Sequence, residues 1–268
     1  MDANQDSGGL MDSLADNFFR YFQPIYAASP AQKRSGYDIR YRVYVEELGW
    51  EAPNPARLET DPCDAYAHPC LLEHKRTGET AGCVRLVVPE TADGQAYLPF
   101  QRHEIAGIDT RHLALNQPTQ VGEISRLAVP SLFRRRRNES GKPFILDESS
   151  AAEAYSQEEL RNFPNIAIGL YLSAIALVDL CDLQLALVVM EPRLQRHLQR
   201  FGLHFQCISD PFELQGQRAL FELPREQLTT HMSSDIRALY ERIRESLYRQ
   251  PWQASAEHNP RVDQHGSI

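Results

Sequence analysis

The segment VGEISRLAVPSLFRRRRN, residues 121–138, decides how the rest of the chain is read. Its first half has strand character, yet Glu123 and Arg126 stand in the middle of it and Arg134, Arg135, Arg136 and Arg137 follow at once. Side chains of a strand point to opposite faces in turn, so a buried strand reads as alternating or unbroken apolar residues. Charges inside one need a task. In a regular strand Glu123 and Arg126 face opposite ways, whereas one extra residue in a β-bulge resets the alternation.

Working outward, the run IAIGLYLSAIALVDLCDLQLALVVM, residues 166–190, is long enough to cross a bilayer, but Asp179 and Asp182 interrupt it and carboxylates in hydrocarbon are costly. It reads as a buried helix over about 164–181 and a buried strand over 183–190, so a strand, helix, strand unit occupies residues 120–190. Upstream, PCLLEHKRTGETAGCVRLVVP reads as a hairpin turning at Thr77 and Gly78. Downstream, EPRLQRHLQRFG is a short helix with Pro192 near its start and Gly202 at its end, and LHFQCISDP and RALFELP form a closing pair of strands. Leu10, Leu14, Phe18, Phe22 and Ile25 predict an amphipathic helix over residues 10–26; a second spans about 37–48, and Leu228, Met232, Ile236, Leu239, Ile243 and Leu247 predict another over 225–249. The sum is one α/β (α+β) domain over residues 10–249 with an insert at about 131–162. Residues 1–9 and 250–268 are expected to be disordered.

A chain of 268 residues, 42% hydrophobic and 24% charged, has enough apolar side chains for one sizeable core. A net charge of -8 argues against coating nucleic acid, which needs a basic surface. The positive charge is nearly all arginine, with lysine only at 33, 75 and 142, and guanidinium forks suit carboxylates and phosphates. Cys63, Cys70, Cys83, Cys181 and Cys207 are odd in number and lack CxxC spacing, which points to reduced thiols. With His68 and His74 they match no common zinc pattern, so no metal is expected. The acidic start MDANQDSGGL is unlike a secretion signal, and a cytoplasmic location is expected.

The charged and aromatic positions form a series: Arg40, Tyr44 and Trp50 in and after the second helix, Asp61 and Asp64 in a loop, Arg85 in a strand, then Glu123 and Arg126. Arg40 and Tyr44, four apart, would share a helix face. Taken singly, each has an ordinary reading as a solvated charge, a core anchor or a turn former.

Taken together, in IRYRVYVEELGWE, ETDPCD and EISRLAVPSLFRRR, the series resembles the acyl-homoserine-lactone synthase superfamily of the GNAT acyltransferase fold over about residues 37–190. The text is more similar still to N-acyl amino acid synthases and to acyltransferases associated with PEP-CTERM/exosortase systems. The resemblance implies a GNAT fold, a mostly antiparallel sheet splayed between its fourth and fifth strands, 120–129 and 183–190. It also implies a reaction: a fatty acyl group, carried as the phosphopantetheine thioester of acyl carrier protein or of coenzyme A, moves to a small amine. Leu127 stands where homoserine-lactone synthases carry an aromatic residue, and the arginine-opened insert is longer than theirs. An amino acid or similar amine is therefore the expected acceptor.

On this reading Glu123 is the general base, since a carboxylate both holds and deprotonates an ammonium. Asp61, Asp64, Arg85, Arg126 and Arg40 frame the acceptor pocket, with Arg40 or Arg85 for an acceptor carboxylate and Tyr44 and Trp50 as walls. Arg134 to Arg137 are expected to dock the acidic carrier protein or grip its phosphate. Asn165, Ile166 and Gly169 stand where a phosphate-binding helix would begin, with only a weak glycine signature. Three rivals are a homoserine-lactone synthase using S-adenosylmethionine, a silent module binding carrier protein or acyl lipid, and a small-molecule N-acetyltransferase.

Overall fold

A computed structural model describes residues 13–89, 96–109, 111, 120–134 and 155–251. Arg135, Arg136 and Arg137, residues 1–9, residues 252–268 of the tail expected to be disordered and most of the insert lie outside the described residues, whereas Gln250 is bonded to the backbone of Pro24 and Tyr26. A sheet runs in the order β1 (Phe22–Tyr26), β2 (Ala67–His74), β3 (Glu79–Val87), β4 (Val121–Ala128), β5 (Leu185–Met190), β8 (Gln217–Pro224) and β6 (Gln206–Cys207), with β7 (Phe212–Glu213) also paired to β8. Neighbours are antiparallel except β4 and β5. A parallel pair needs a crossover, and the helix Pro164–Leu180 supplies it.

That crossover helix is apolar on nearly all sides because it is covered on nearly all sides. One face packs on Val84, Leu86 and Ile124 of the sheet, and another meets Leu239, Ile243 and Leu247 of the C-terminal helix Ser234–Tyr248. Asp179, near its end, is bonded by Arg225 at 2.7 Å and by Arg244. Among the described residues no helix is long and apolar enough to cross a membrane. Gly169 has a packing role: a Cβ on it would fall 2.4 Å from the ring of Phe18.

The opposite face of the sheet carries the helix Pro30–Tyr41, whose Ile39 joins Leu71, Cys83 and Ala128 in a smaller apolar cluster. Further along the same face, Leu98 and Phe100 cover Val87, Val121, Leu187 and Leu220. Between these two apolar covers lies a strip of buried charge.

Three elements differ from the sequence expectation. The first helix stops at Tyr21, and Phe22–Tyr26 is an edge strand with alternating burial. Pro24 explains it, since proline in a helix interior lacks the N–H and clashes with the preceding turn, while an edge strand tolerates it. The second helix starts earlier, at Pro30, under a capping box of Ser29 and Gln32, and continues past Tyr41 as a π-helical segment, Arg42–Glu47. The last helix starts at Ser234, capped by the Ser233 side chain, because that serine offers the backbone a better start than the threonines before it.

Candidate active site

Cross-strand pairing puts Glu123 opposite Val87 and Ser125 opposite Arg85, so all four side chains lie on the helix Pro30–Tyr41 face of the sheet. Beyond that point the register slips. Cys83 faces Ala128, so two steps along β3 meet three along β4, and the extra residue is accommodated where Arg126 adopts φ +54°. This is a β-bulge, and it turns Arg126 to the side that Glu123 occupies. The left-handed conformation is uncommon for a residue with a side chain.

The charges form a closed frame. Arg85, 2% exposed, grips Asp61 with two bonds of 2.7 Å, reaches Asp64 at 2.6 Å and donates to Ser125 Oγ at 3.1 Å. Arg40, 3% exposed, holds both Asp64 oxygens at 2.7 and 3.1 Å and bonds Glu59. Arg126 reaches Glu59 at 3.1 Å and Asp61 at 3.2 Å. Burial alone would raise the Asp61 pKa, but bonds to Arg85 and the field of Arg126 and Arg40 bring it down to about 2. Asp61 and Asp64 also cap the turn Pro62–Tyr66, accepting from the N–H of Cys63 and of Asp61 respectively. Three guanidinium groups thus meet three carboxylates.

Glu59 is a member of this frame that the sequence reading passed over. Its signal was available: in the extended run Glu59-Thr60-Asp61, alternation sends Glu59 and Asp61 the same way.

Glu123 stands apart from the ion pairs. It is 2% exposed and its Oε2 accepts the Phe100 N–H at 2.7 Å. Burial raises its pKa to about 8, against the pull of that N–H and of Arg85 and Arg126. A carboxyl group so placed exchanges its proton near neutral pH, the range in which general acids and bases work.

The sheet opens beside it. β4 and β5 pair only from Val121↔Leu185 to Ile124↔Val188, and among the described residues β4 has no partner on that side from Ser125 onward. A cavity of about 910 Å³ fills the opening. Glu123, Ser125 and Arg126 line one part of it, Tyr44 and Trp50 another, and Tyr171, Ala174, Ile175, Leu198 and Phe205 an apolar recess. Tyr44 and Trp50 stack at 6.0 Å between centroids, and the Tyr44 hydroxyl bonds the Leu127 carbonyl in the bulge at 2.8 Å.

Of the residues named from sequence, Tyr44, Trp50, Asp61, Glu123 and Arg126 reach the cavity, whereas Arg40, Asp64 and Arg85 lie behind its wall. Their forks are filled by internal carboxylates, which leaves neither Arg40 nor Arg85 open to a substrate carboxylate. Arg134 is bound elsewhere, to Glu47, whose carboxylate also accepts the Ser131 N–H. Arg102, His103 and Arg218 line the cavity as well and carried no sequence signal.

A sheet that parts between its fourth and fifth strands, with a buried carboxyl group at the fork, is the arrangement that the resemblance to GNAT acyltransferases implied. Residues 39–141 match the acetyltransferase (GNAT) domain family. No curated protein matches it. The fold is similar to the AHL synthase LasI, at 14% identity over 81% of this chain and 94% of that one, with a TM-score of 0.50. It is also similar to the CoA-dependent acyl-homoserine lactone synthase BjaI, at 16% identity over 83% and 89%, TM-score 0.50. FeeM, an N-acyl amino acid synthase from uncultured soil microbes, aligns at 12% identity over 79% and 94%, TM-score 0.49. At these identities the likeness is one of fold.

Proposed function

We propose that the protein transfers a long-chain fatty acyl group from the thioester of acyl carrier protein to the amine of an amino acid or similar small molecule. The observation that carries this reading is the end of β4–β5 pairing at Ile124↔Val188, one residue past the buried Glu123. Main-chain N–H groups of β4 past the last pairing with β5 would hold the thioester and stabilise its oxyanion. The recess lined by Tyr171, Ala174, Ile175, Leu198 and Phe205 accommodates the acyl chain, in a cavity of the size that holds drug-sized ligands.

The amine nitrogen attacks the thioester carbonyl, a C–N bond forms and the C–S bond breaks. Glu123 takes the proton that nitrogen sheds and passes it to the departing sulfur, so thiol and amide are the products and Glu123 is regenerated. With a pKa of about 8, Glu123 is matched to an amine that is itself mostly protonated at neutral pH. Mass spectrometry of lipid extracts from cells making the protein tests the reading. A new N-acyl amine absent from cells making Glu123→Gln is the expected result, and unaltered extracts would sink it. Purified protein given the same donor with S-adenosylmethionine in place of an amino acid separates this reading from lactone synthesis.

A further inference from the structure

We infer that Arg218 is the specificity-determining residue of the acceptor subsite and receives the acceptor's carboxylate. The inference rests on the reading of the protein as an amine acyltransferase and goes beyond it in naming what the acceptor must carry. It starts from the closed frame. Arg40, Arg85 and Arg126 are each engaged by two of the three carboxylates Glu59, Asp61 and Asp64. An incoming carboxylate that displaced one of them would orphan a buried charge, which costs more than a surface bond returns.

Arg218 is placed differently. Glu123 pairs with Leu187 across β4 and β5, and Leu187 with Glu222 across β5 and β8, so these three point to one face. Arg218 is four residues back along β8 and, by the two-residue alternation, points to that same face. Two strand spacings and four residues separate the Glu123 and Arg218 backbones by roughly 16 Å. Two long side chains shorten that span from both ends.

The guanidinium of Arg218 lies 5.3 Å from the ring centroid of Trp50. Trp50 stacks on Tyr44 with planes 14° apart, and Arg126 lies over Tyr44 at 5.8 Å. The aromatic pair therefore separates an engaged arginine on the inside from an open one on the outside. Arg218 donates through Nε to the Leu214 carbonyl at 2.6 Å, which fixes the plane of the fork. Among the described residues no carboxylate forms an ion pair with it. A stacked, oriented guanidinium with its terminal N–H groups open, on the wall of a cavity, is built for bidentate capture of a carboxylate. Of the other cavity arginines, Arg193 is paired with Glu191 at 2.9 Å, and Arg102 is exposed and, among the described residues, has no ring beneath it.

The same fork would fit a phosphate of the acyl donor, and kinetics separate the two sources. Transfer from a palmitoyl thioester, offered on coenzyme A and on acyl carrier protein, is measured with the standard free L-amino acids and with their carboxamides. Wild-type protein is expected to prefer acids. Arg218→Gln raises KM for the preferred acid about 10- to 100-fold, as loss of a charged hydrogen-bonding partner does, with kcat and the donor KM retained. The KM for the matching carboxamide barely moves, and Arg218→Lys keeps part of the preference; that Lys variant carries the comparison should the Gln variant not fold. A rise in the donor KM alone, or equal effects on acid and amide, overturns the assignment and leaves the acyltransferase reading standing. So does wild-type protein that acylates carboxamides as readily as acids. Wild-type protein that acylates no amine removes both.

Discussion

At Glu123, two properties that usually exclude one another coincide: the carboxyl group is almost fully removed from water, and among the described residues it has no ion-pair partner. Its neighbours Asp61 and Asp64 are held ionised by arginines, while Glu123 accepts the Phe100 N–H. Nearby carboxyl groups are thereby driven apart in pKa, the pattern that separates a structural acid from a working one. Turnover should rise with pH as Glu123 loses its proton around pH 8. Glu123→Gln should lower kcat by about 100-fold or more and remove that limb from the pH profile; an unchanged limb would assign it to another group. A second consequence concerns stability. The folded chain keeps the Glu123 proton to about pH 8, the unfolded chain only to about pH 4.3, so between these values the folded state binds more protons. Stability from this group is full below about pH 4.3 and is lost as pH rises through 8. Glu123→Gln cannot titrate, so its stability relative to wild type should improve between pH 4 and pH 9, by a few kcal/mol at most. Urea titrations at the two pH values measure it.

Three local departures from regularity bring the site together: the bulge at Arg126, the π segment Arg42–Glu47 and the unpaired end of β4. The π segment, closed by the Leu48 N–H on the Val43 carbonyl, contains Tyr44, whose hydroxyl meets the bulge carbonyl of Leu127. Such segments recur at functional sites. Regular elements buried on both sides were legible in the sequence, as with the crossover helix and β5, because apolar runs and turn residues agree there. The irregular ones were not, since an alternation rule detects that a charge is misplaced without saying where the chain will bulge to correct it. Phe18 and Phe22 are both buried although the chain changes to a strand after Tyr21, because a helix stripe and a strand face can each bury residues four apart, whereas Ile25 points away from the face that buries Phe22 and Tyr26. Gly169 drew attention as part of a phosphate-binding signature, yet its lack of a side chain serves the Phe18 ring. Gly169→Ala should cost about 1–3 kcal/mol by overpacking, and Phe18→Ala about 3–5 kcal/mol. Because the two sites touch, the double variant should lose clearly less than the sum; additive losses in denaturant titrations would mean that they do not.

The molecule as a whole places two unlike environments on either side of one fork. The charged frame belongs to the face under the helix Pro30–Tyr41, while the apolar recess is walled by the crossover helix and by residues around the helix Pro192–Gln199. A transferase joining an apolar donor to a polar acceptor needs both, meeting where the strands part. The crossover helix thereby has two roles, since it carries the main core and presents Tyr171, Ala174 and Ile175 to the cavity. Filling the recess from that helix should change which donors are accepted and leave the acceptor side alone. Ala174→Phe should exclude about three methylenes of the longest chains, each worth ~0.8 kcal/mol when buried, so its kcat/KM for those donors should fall roughly 50-fold relative to shorter ones. The overpacked side chain should lower stability by about 1–3 kcal/mol, which a thermal melt detects. The acceptor KM, set across the fork at the Trp50 and Arg218 wall, should hardly move. A folded Ala174→Phe variant with an unaltered chain-length profile would place the acyl group outside the recess, and the donor would then have to approach the fork from the opposite face of the sheet.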